Sequence, residues 1–192
     1  MLGLEEEQAG WGAVRGGEAG RVGGAPVVVV SGQTISPMLG KDAFQETPIQ
    51  SVSMLITKHN YLVTRTEDIA RVTREAFHVA TSGRPGPILI DIAKDAQAGK
   101  IDPASVSADF SLRGYLPERK LNCSQMDRAM NLIGTAKKPL LYSGQGVVLA
   151  DACAELRKFV EKSGIPVAHT LLSVGAFPAS HVLNVGPLGM HG

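Results

Sequence analysis

Aromatic side chains make up only 5% of the 192 residues, so the chain has little material for the ring platforms that stack single-stranded nucleic acid. Charge of one sign is missing too. The 19 Lys+Arg and 18 Asp+Glu leave a net charge of +1, which argues against the basic stripe of a nucleic-acid partner. Two cysteines, Cys123 and Cys153, are too few to staple a small secreted scaffold, and a reducing compartment is the plain reading. No apolar run approaches the roughly 18 residues of a membrane-spanning helix. The five histidines, at 59, 78, 169, 181 and 191, show no metal-ligand spacing, and no metal ligands are assigned. Turn residues are plentiful, with 22 Gly and 11 Pro, and they break up a chain that is 44% hydrophobic. At about 150 residues per domain the length allows one to two domains. The expectation is a globular α/β chain.

Residues 1–25 read as a disordered leader: they are glycine-rich, carry the acidic run Glu5–Glu7 and lack periodicity. They lack the basic start and apolar stretch of a secretory signal. Packing is expected from Pro26. Val27–Val30 suits a buried strand closed by Ser31-Gly32. A loop follows to Pro48, then a short, mostly buried helix with Ile49, Val52, Met54, Leu55 and Ile56, then a strand at Tyr61–Val63. Ile69, Val72, Ala76, Phe77 and Ala80 form one helical stripe, with Thr64 or Thr66 as cap and Gly83 as left-handed terminator. Pro85-Gly86-Pro87 leads into a strand at Ile88–Ile92. Helix, tight turn and strand are the second half of a parallel α/β unit.

Residues 98–121 show no period and read as a linker. Ser124 and Asp127 are expected to cap a helix with Met126, Ala129, Met130 and Ile133 inward. Leu140–Ser143 reads as a strand, followed by the turn Gly144-Gln145-Gly146. A helix then carries Ala152, Cys153, Leu156, Phe159 and Val160 on one face, and Pro166–His169 is another strand. Strand, glycine turn, helix and strand open a Rossmann-like sheet. The expected fold class is therefore an incomplete parallel-sheet domain followed by the start of a Rossmann-like domain, with boundaries at 26–97 and 122–192.

Several residues admit two readings. Asp42 to Thr47 either cap the following helix or set Gln45 in a pocket, where an amide both donates and accepts. Lys58-His59 either complement the dipole of the helix they follow or serve a site. Arg84 either decorates a turn or offers a guanidinium fork to a phosphate. Gly144 and Gly146 permit close backbone approach to a ligand beside a helix N-terminus, without the third glycine of the dinucleotide fingerprint.

Taken together and in order, these segments resemble the acetolactate synthase (acetohydroxyacid synthase) family. Ser31-Gly32-Gln33, Gly40-Lys41-Asp42-Ala43-Phe44-Gln45-Glu46-Thr47, Ile56-Thr57-Lys58-His59-Asn60-Tyr61, Ala80-Thr81-Ser82-Gly83-Arg84-Pro85-Gly86-Pro87 and Leu188-Gly189-Met190-His191-Gly192 carry the resemblance. It implies a thiamin-diphosphate-dependent enzyme with FAD and Mg2+. Such an enzyme decarboxylates pyruvate and joins it to a second 2-oxo acid, pyruvate or 2-oxobutanoate, in branched-chain amino-acid biosynthesis. Residues 26–97 would be the second half of the pyrimidine-binding domain, and 122–192 the first half of the central, flavin-carrying domain. By resemblance Gln45, Lys58 and Phe44 match catalytic-site positions. Arg84, Gly144, Gln145, Gly146, Thr170, Leu171, Leu188, Gly189, Met190 and His191 match flavin-binding positions, with Gln145 standing where the family has glycine.

The family's early glutamate that activates the aminopyrimidine has no counterpart in the leader, and no Gly-Asp-Gly diphosphate–magnesium motif occurs. The expectation is a fragment from the middle of the enzyme, inactive alone. The resemblance further implies a homo-oligomer with a possible regulatory subunit, in the cytoplasm of a bacterium or the plastid of a plant or alga. Two other readings stand beside it: a non-catalytic derivative that binds flavin or pairs with full-length subunits, and another thiamin-diphosphate carboligase or oxidase.

Overall fold

The computed structural model describes residues 20–21, 23–44, 46–107, 111–117 and 121–189. The chain divides into two compact units, Met1–Arg119 and Lys120–Gly192. Most of the expected leader lies outside the described residues, but packing begins before Pro26. Gly20 is buried, and Ala25 N donates to Gly20 O at 2.9 Å. A Cβ added to Gly20 would lie 3.3 Å from Val27 Cγ2.

The first unit is a parallel sheet in the order β1-β3-β2, with β1 at Val28–Gln33, β2 at His59–Val63 and β3 at Ile88–Ala93. β1 continues through Ser31-Gly32 where the sequence suggested a stop. Pairing with β3 runs unbroken from Val28↔Ile88 to Gln33↔Ala93, and the backbone ladder outweighs the local turn signal. β3 is central, and Ile88, Leu89, Ile90 and Asp91 are all buried, as a strand covered on both faces requires.

Helix α1, Ile49–Ser53, is shorter than the apolar run suggested; Val52, Met54 and Leu55 are exposed. Ser53 Oγ turns back to Ile49 O at 2.7 Å and the helix ends there. Helix α2 spans Thr66–Thr81. Its N-cap is Arg65, with no side-chain cap, so neither threonine performs the expected role. Glu67 and Asp68 in the first turn complement the dipole instead. The buried stripe is Val72, Glu75, Ala76, Val79 and Ala80, and Phe77 faces outward. One residue past Ala76 is about 100° round the helix, which puts Phe77 off the stripe and Val79 on it. Buried Glu75 pairs with Arg71 at 2.8 Å. Gly83 has φ +59, the left-handed conformation expected of it, and a Cβ there would also meet Pro117 Cβ at 3.2 Å.

Beyond β3 come a short helix α3, Lys94–Ala98, and a 3-10 turn at Pro103–Ser105. The expected linker is not detached. Leu112 and Tyr115 pack against the core formed by Val63, Val72, Ala76, Val79, Ala80, Ile88 and Ile90, and Arg74 Nη1 donates to Ser107 O.

The second unit contains α4 (Cys123–Thr135), β4 (Leu141–Ser143), α5 (Gln145–Leu149), α6 (Cys153–Ser163), β5 (Val167–His169) and β6 (Asn184–Pro187). Its sheet is parallel in the order β4-β5-β6. The sequence showed two of these strands. β6 was missed because Asn-Val-Gly-Pro has neither alternation nor an apolar run, and Gly186 sits at φ +100 beside an irregular register. The turn expected at Gly144–Gly146 is shorter, since α5 already begins at Gln145. Val160, Val167 and Phe177 form the core, joined by Leu141, Leu156 and Leu183. α4 departs from its expected pattern. None of its residues is buried, and Met126 and Met130 are exposed. Asn122 is its cap, with Oδ1 accepting from Gln125 N at 3.2 Å; Ser124 Oγ donates to that same oxygen and Asp127 takes no part.

The Tyr61 hydroxyl in β2 is buried without a hydrogen-bond partner among the described residues. Burial, and then the negative charge of Glu75, push its pKa up to about 12. An unfolded tyrosine ionises near 10, so the folded state keeps a proton that the unfolded chain gives up. The contribution to stability is complete below pH about 10 and is lost as the pH rises towards about 12. Urea midpoints across this range should fall less steeply in Tyr61→Phe; an unchanged slope in that variant would assign the loss to other groups.

Candidate functional site

The first unit builds its candidate site from the carboxyl end of β1 outward. Ser31 Oγ donates to Asp91 Oδ1 at 2.7 Å, and Gln33 Nε2 donates to Asp91 Oδ2 at 3.0 Å. Asp91 is 1% exposed, and burial raises its pKa against the pull of these two bonds. Gln33 Nε2 also donates to Thr47 O at 2.8 Å. One amide thus ties the buried carboxylate of the central strand to the end of the Gly40–Thr47 loop.

That loop folds around its own Glu46. The carboxylate accepts from Ala43 N at 3.0 Å, from Gly40 N and from Lys41 N at 3.3 Å, with Asp42 at φ +54. The bonds from Ala43 and Gly40 hold the Glu46 pKa below the ordinary carboxylate value. The loop presents Phe44, which is 84% exposed. Gln45 lies outside the described residues.

Lys58 joins three elements. Its backbone N donates to Pro87 O at 2.6 Å, which sets the start of β2 beside the turn before β3. Its ammonium donates to Val79 O at 2.5 Å, Ser82 O at 2.6 Å and Tyr115 Oη at 2.8 Å. The first two acceptors are carbonyls at the C-terminal end of α2, so the cation complements a helix dipole, though not that of the helix it follows. Its three N–H groups are matched by three acceptors. At Tyr115 partial burial opposes ionisation, but the hydrogen bonds with Lys58 and Ser82 outweigh it and hold the phenol below its ordinary value.

Lys58 and Arg84 line one solvent-open cleft of about 540 Å3, together with Arg21, Thr57, Pro85, Gly86 and Pro87. Arg84 is exposed at the turn. The structure thus brings two of the expected site residues, Lys58 and Arg84, into one cleft, while Phe44 is not among its lining residues.

In the second unit the expected positions gather along one edge. Ser143, His169 and Pro187 are register partners across β4, β5 and β6, so Gly144, Thr170 and Leu188 are the first residues past three adjacent strands. Thr170 N donates to Ser143 O and Leu188 N to His169 O, both at 2.9 Å, which continues the ladder one step. The carboxyl edge of an open parallel sheet is where such folds bind ligands. Leu171 begins a 3-10 turn, Leu171–Ser173, and is 82% exposed. Gln145 and Gly146 open α5, and Gly189 has φ +139. Met190 and His191 lie outside the described residues. Among the described residues no group of three or more His, Cys, Asp or Glu stands together, and no helix is long and apolar enough to cross a membrane.

Residues 126–192 match the family model described as thiamine pyrophosphate enzyme, central domain. Across 87% of its length the chain is 49% identical to the acetolactate synthase large subunit of Corynebacterium glutamicum, covering 26% of that protein. It is 48% identical to acetolactate synthase 2, chloroplastic, of Nicotiana tabacum over 87% of the chain and 25% of that protein. The chain is a relative of the acetolactate synthases. It spans about a quarter of the length of these curated relatives. Among solved structures it resembles a Mycobacterium smegmatis protein assigned as a thiamin diphosphate-dependent enzyme, with TM-score 0.75, 25% identity, 92% of this chain covered and 34% of the other. The parallel α/β fold is therefore that of this class.

Four residues in this acetolactate synthase relative were missed at the sequence level. Asp91 is a single carboxylate in an apolar run, and its partners lie a sixty-residue separation away. Tyr115 belongs to a stretch without period. His169 and Ser143 are buried at the carboxyl edge, and neither ring nitrogen of His169 nor Ser143 Oγ has a hydrogen-bond partner among the described residues. A strand carrying a polar residue at its last inward position was the available signal for these two.

Lys58→Met keeps the aliphatic stem and removes all three donors. It should destabilise the first unit by about 1–3 kcal/mol, because Val79 O and Ser82 O lose a charged partner. Tyr115→Phe should cost about 1 kcal/mol. A double-mutant cycle read by urea unfolding should return a coupling above about 0.5 kcal/mol, and strict additivity would refute the contact.

Proposed function

We propose that this chain carries part of a thiamin-diphosphate-dependent carboligase of the acetolactate synthase type. The reaction would decarboxylate pyruvate and join the remaining two-carbon unit to a second pyruvate or to 2-oxobutanoate. The observation that carries this reading is the 49% identity to an acetolactate synthase large subunit over 87% of the chain. Residues 26–97 then correspond to the second half of the pyrimidine-binding domain, 98–121 to the connection and 122–192 to the first half of the central domain.

Thiamin diphosphate, fixed by Mg2+ through residues this sequence lacks, would supply the electron sink for decarboxylation. The chain's own part is to bind and orient. Lys58 contributes a fixed positive charge at the cleft rather than a spare donor, since its N–H groups are matched by acceptors. The exposed Phe44 supplies an apolar wall, and Gln45 beside it an amide for a substrate carbonyl or carboxylate. Arg84 on the first unit suits an anionic group such as a phosphate of FAD. On the second unit, taken by itself, the backbone ends at Gly144, Gln145 and Gly146, Thr170 and Leu171, and Leu188 and Gly189 suit a nucleotide. The buried, unpartnered nitrogens of His169 fit a polar group entering that edge. The names of the relatives fit a large subunit working beside a small one, in a bacterial cytoplasm or a plastid.

The test is a chimera in which residues 26–192 replace the matching segment of the Corynebacterium enzyme. It should form acetolactate from pyruvate with thiamin diphosphate, Mg2+ and FAD. Lys58→Ala or Gln45→Ala should lower turnover about 100-fold or more, in line with the loss of a positioning group. The isolated 192-residue chain should form none. A folded, flavin-loaded chimera without activity would overturn the proposal.

A further inference from the structure

The cleft of the first unit contains a residue that the resemblance does not reach. Arg21 precedes the stretch beginning at Pro26 that carries the family motifs, yet it lines the same cleft of about 540 Å3 as Lys58 and Arg84. The lining residues are Arg21, Thr57, Lys58, Arg84, Pro85, Gly86 and Pro87: three cations and no carboxylate. Their states differ. The Lys58 ammonium is fully engaged by Val79 O, Ser82 O and Tyr115 Oη. Elsewhere, Arg71 pairs with Asp68 and Glu75, and Arg157 with Glu161. The exposed guanidiniums of Arg21 and Arg84 have neither an ion pair nor a hydrogen bond among the described residues.

Like charges gathered with no counter-charge among the described lining residues repel one another, and the arrangement is relieved when an anion enters. A guanidinium presents planar paired donors that match the oxygens of a phosphate, and two such forks suit a diphosphate better than a single carboxylate. The local backbone is stiff, with Pro85 and Pro87 flanking Gly86 and Gly86 N donating to Ala80 O at 3.0 Å. The position of the Arg84 backbone is therefore fixed before a ligand arrives. A volume near 540 Å3 accommodates a diphosphate ester.

We propose that Arg21 and Arg84 form a two-fork anion site, in the field of Lys58, that takes a diphosphate group. The proposal rests on the reading of Arg84 as an anion-facing residue and adds Arg21 as a binding residue. The same chemistry has two sources, the diphosphate of a nucleotide cofactor such as FAD and a free small diphosphate.

Inorganic pyrophosphate is the probe, titrated calorimetrically into the full chain at low and moderate salt. Binding should weaken with salt. Arg21→Gln should weaken it about tenfold, the size expected for loss of one charged hydrogen-bonding group. Arg21→Lys, which keeps the charge but loses the fork, should fall between the two. Arg128→Gln on α4 makes the same change in net charge elsewhere and should leave the affinity unchanged. Circular dichroism of each variant separates lost binding from lost folding. Pyrophosphate that competes with FAD identifies the cofactor as the source, and pyrophosphate that binds alongside FAD identifies a free anion; either sustains the site. Equal affinity in wild type and Arg21→Gln, equal losses in Arg21→Gln and Arg128→Gln, or no binding by the wild type overturns it. If Arg84→Gln abolishes FAD affinity while Arg21→Gln leaves pyrophosphate binding intact, this inference fails and the proposed function stands.

Discussion

The Lys58 ammonium, held by two carbonyls of the α2 terminus and by the Tyr115 hydroxyl, is the contact on which the first unit's site side is assembled. A helix end exposes carbonyls that need donors, and here one side chain just ahead of β2 supplies donors to two of them, Val79 O and Ser82 O. The same residue fixes the turn before β3 through its backbone N–H to Pro87 O. Helix end, strand start, turn and the segment that follows the sheet are thus referred to one point. Because the cation is spent on structure, its influence on anything in the cleft is through its field, while the guanidinium of Arg84, unpartnered among the described residues, is free to make contact.

A second tie runs through Asp91. Its carboxylate lies in the central strand, where a charge is costly unless it is hydrogen-bonded, and Ser31 and Gln33 meet that demand from β1. Gln33 then spends its remaining N–H on Thr47 O, so the requirement of a buried charge reaches the loop that bears Phe44. The loop adds its own closure around Glu46. Substitution at Asp91 would act on the loop through the Gln33 side chain without touching it.

The legibility of this architecture in the sequence varied with the source of each signal. α2 was readable because its stripe repeats at the helical period, and β3 because Pro85-Gly86-Pro87 isolates a β-branched run. Its cap and Phe77 were misjudged, since Thr64, Thr66 and the 76–77 pair each offer two equally good local choices that only packing decides. β6 gave no signal, because its glycine and proline read as turn and its pairing with β5 carries the assignment. The inward face drawn for α4 rested on spacing alone, and none of its residues is buried in the structure. The family motifs marked Lys58 and Arg84, which the fold does bring to one cleft. They were silent on Asp91, Tyr115 and Arg21, whose importance arises from partners far away in sequence.

The first sheet places its middle strand last in sequence, whereas the second adds its strands in chain order. In the first, β1 and β2 never pair with each other; each pairs with β3, and Val28 waits for Ile88. In the second, β4 waits for β5, and β6 follows. Until β3 is available β1 and β2 lack their shared partner in this sheet, while α1 and α2 can form locally. Closing a sixty-residue separation is slow compared with local helix formation, so the apolar faces of β1 and β2 stay uncovered until β3 emerges. In the first unit, the interval between residues 63 and 93 on the ribosome leaves these faces open to chaperones and to neighbouring nascent chains.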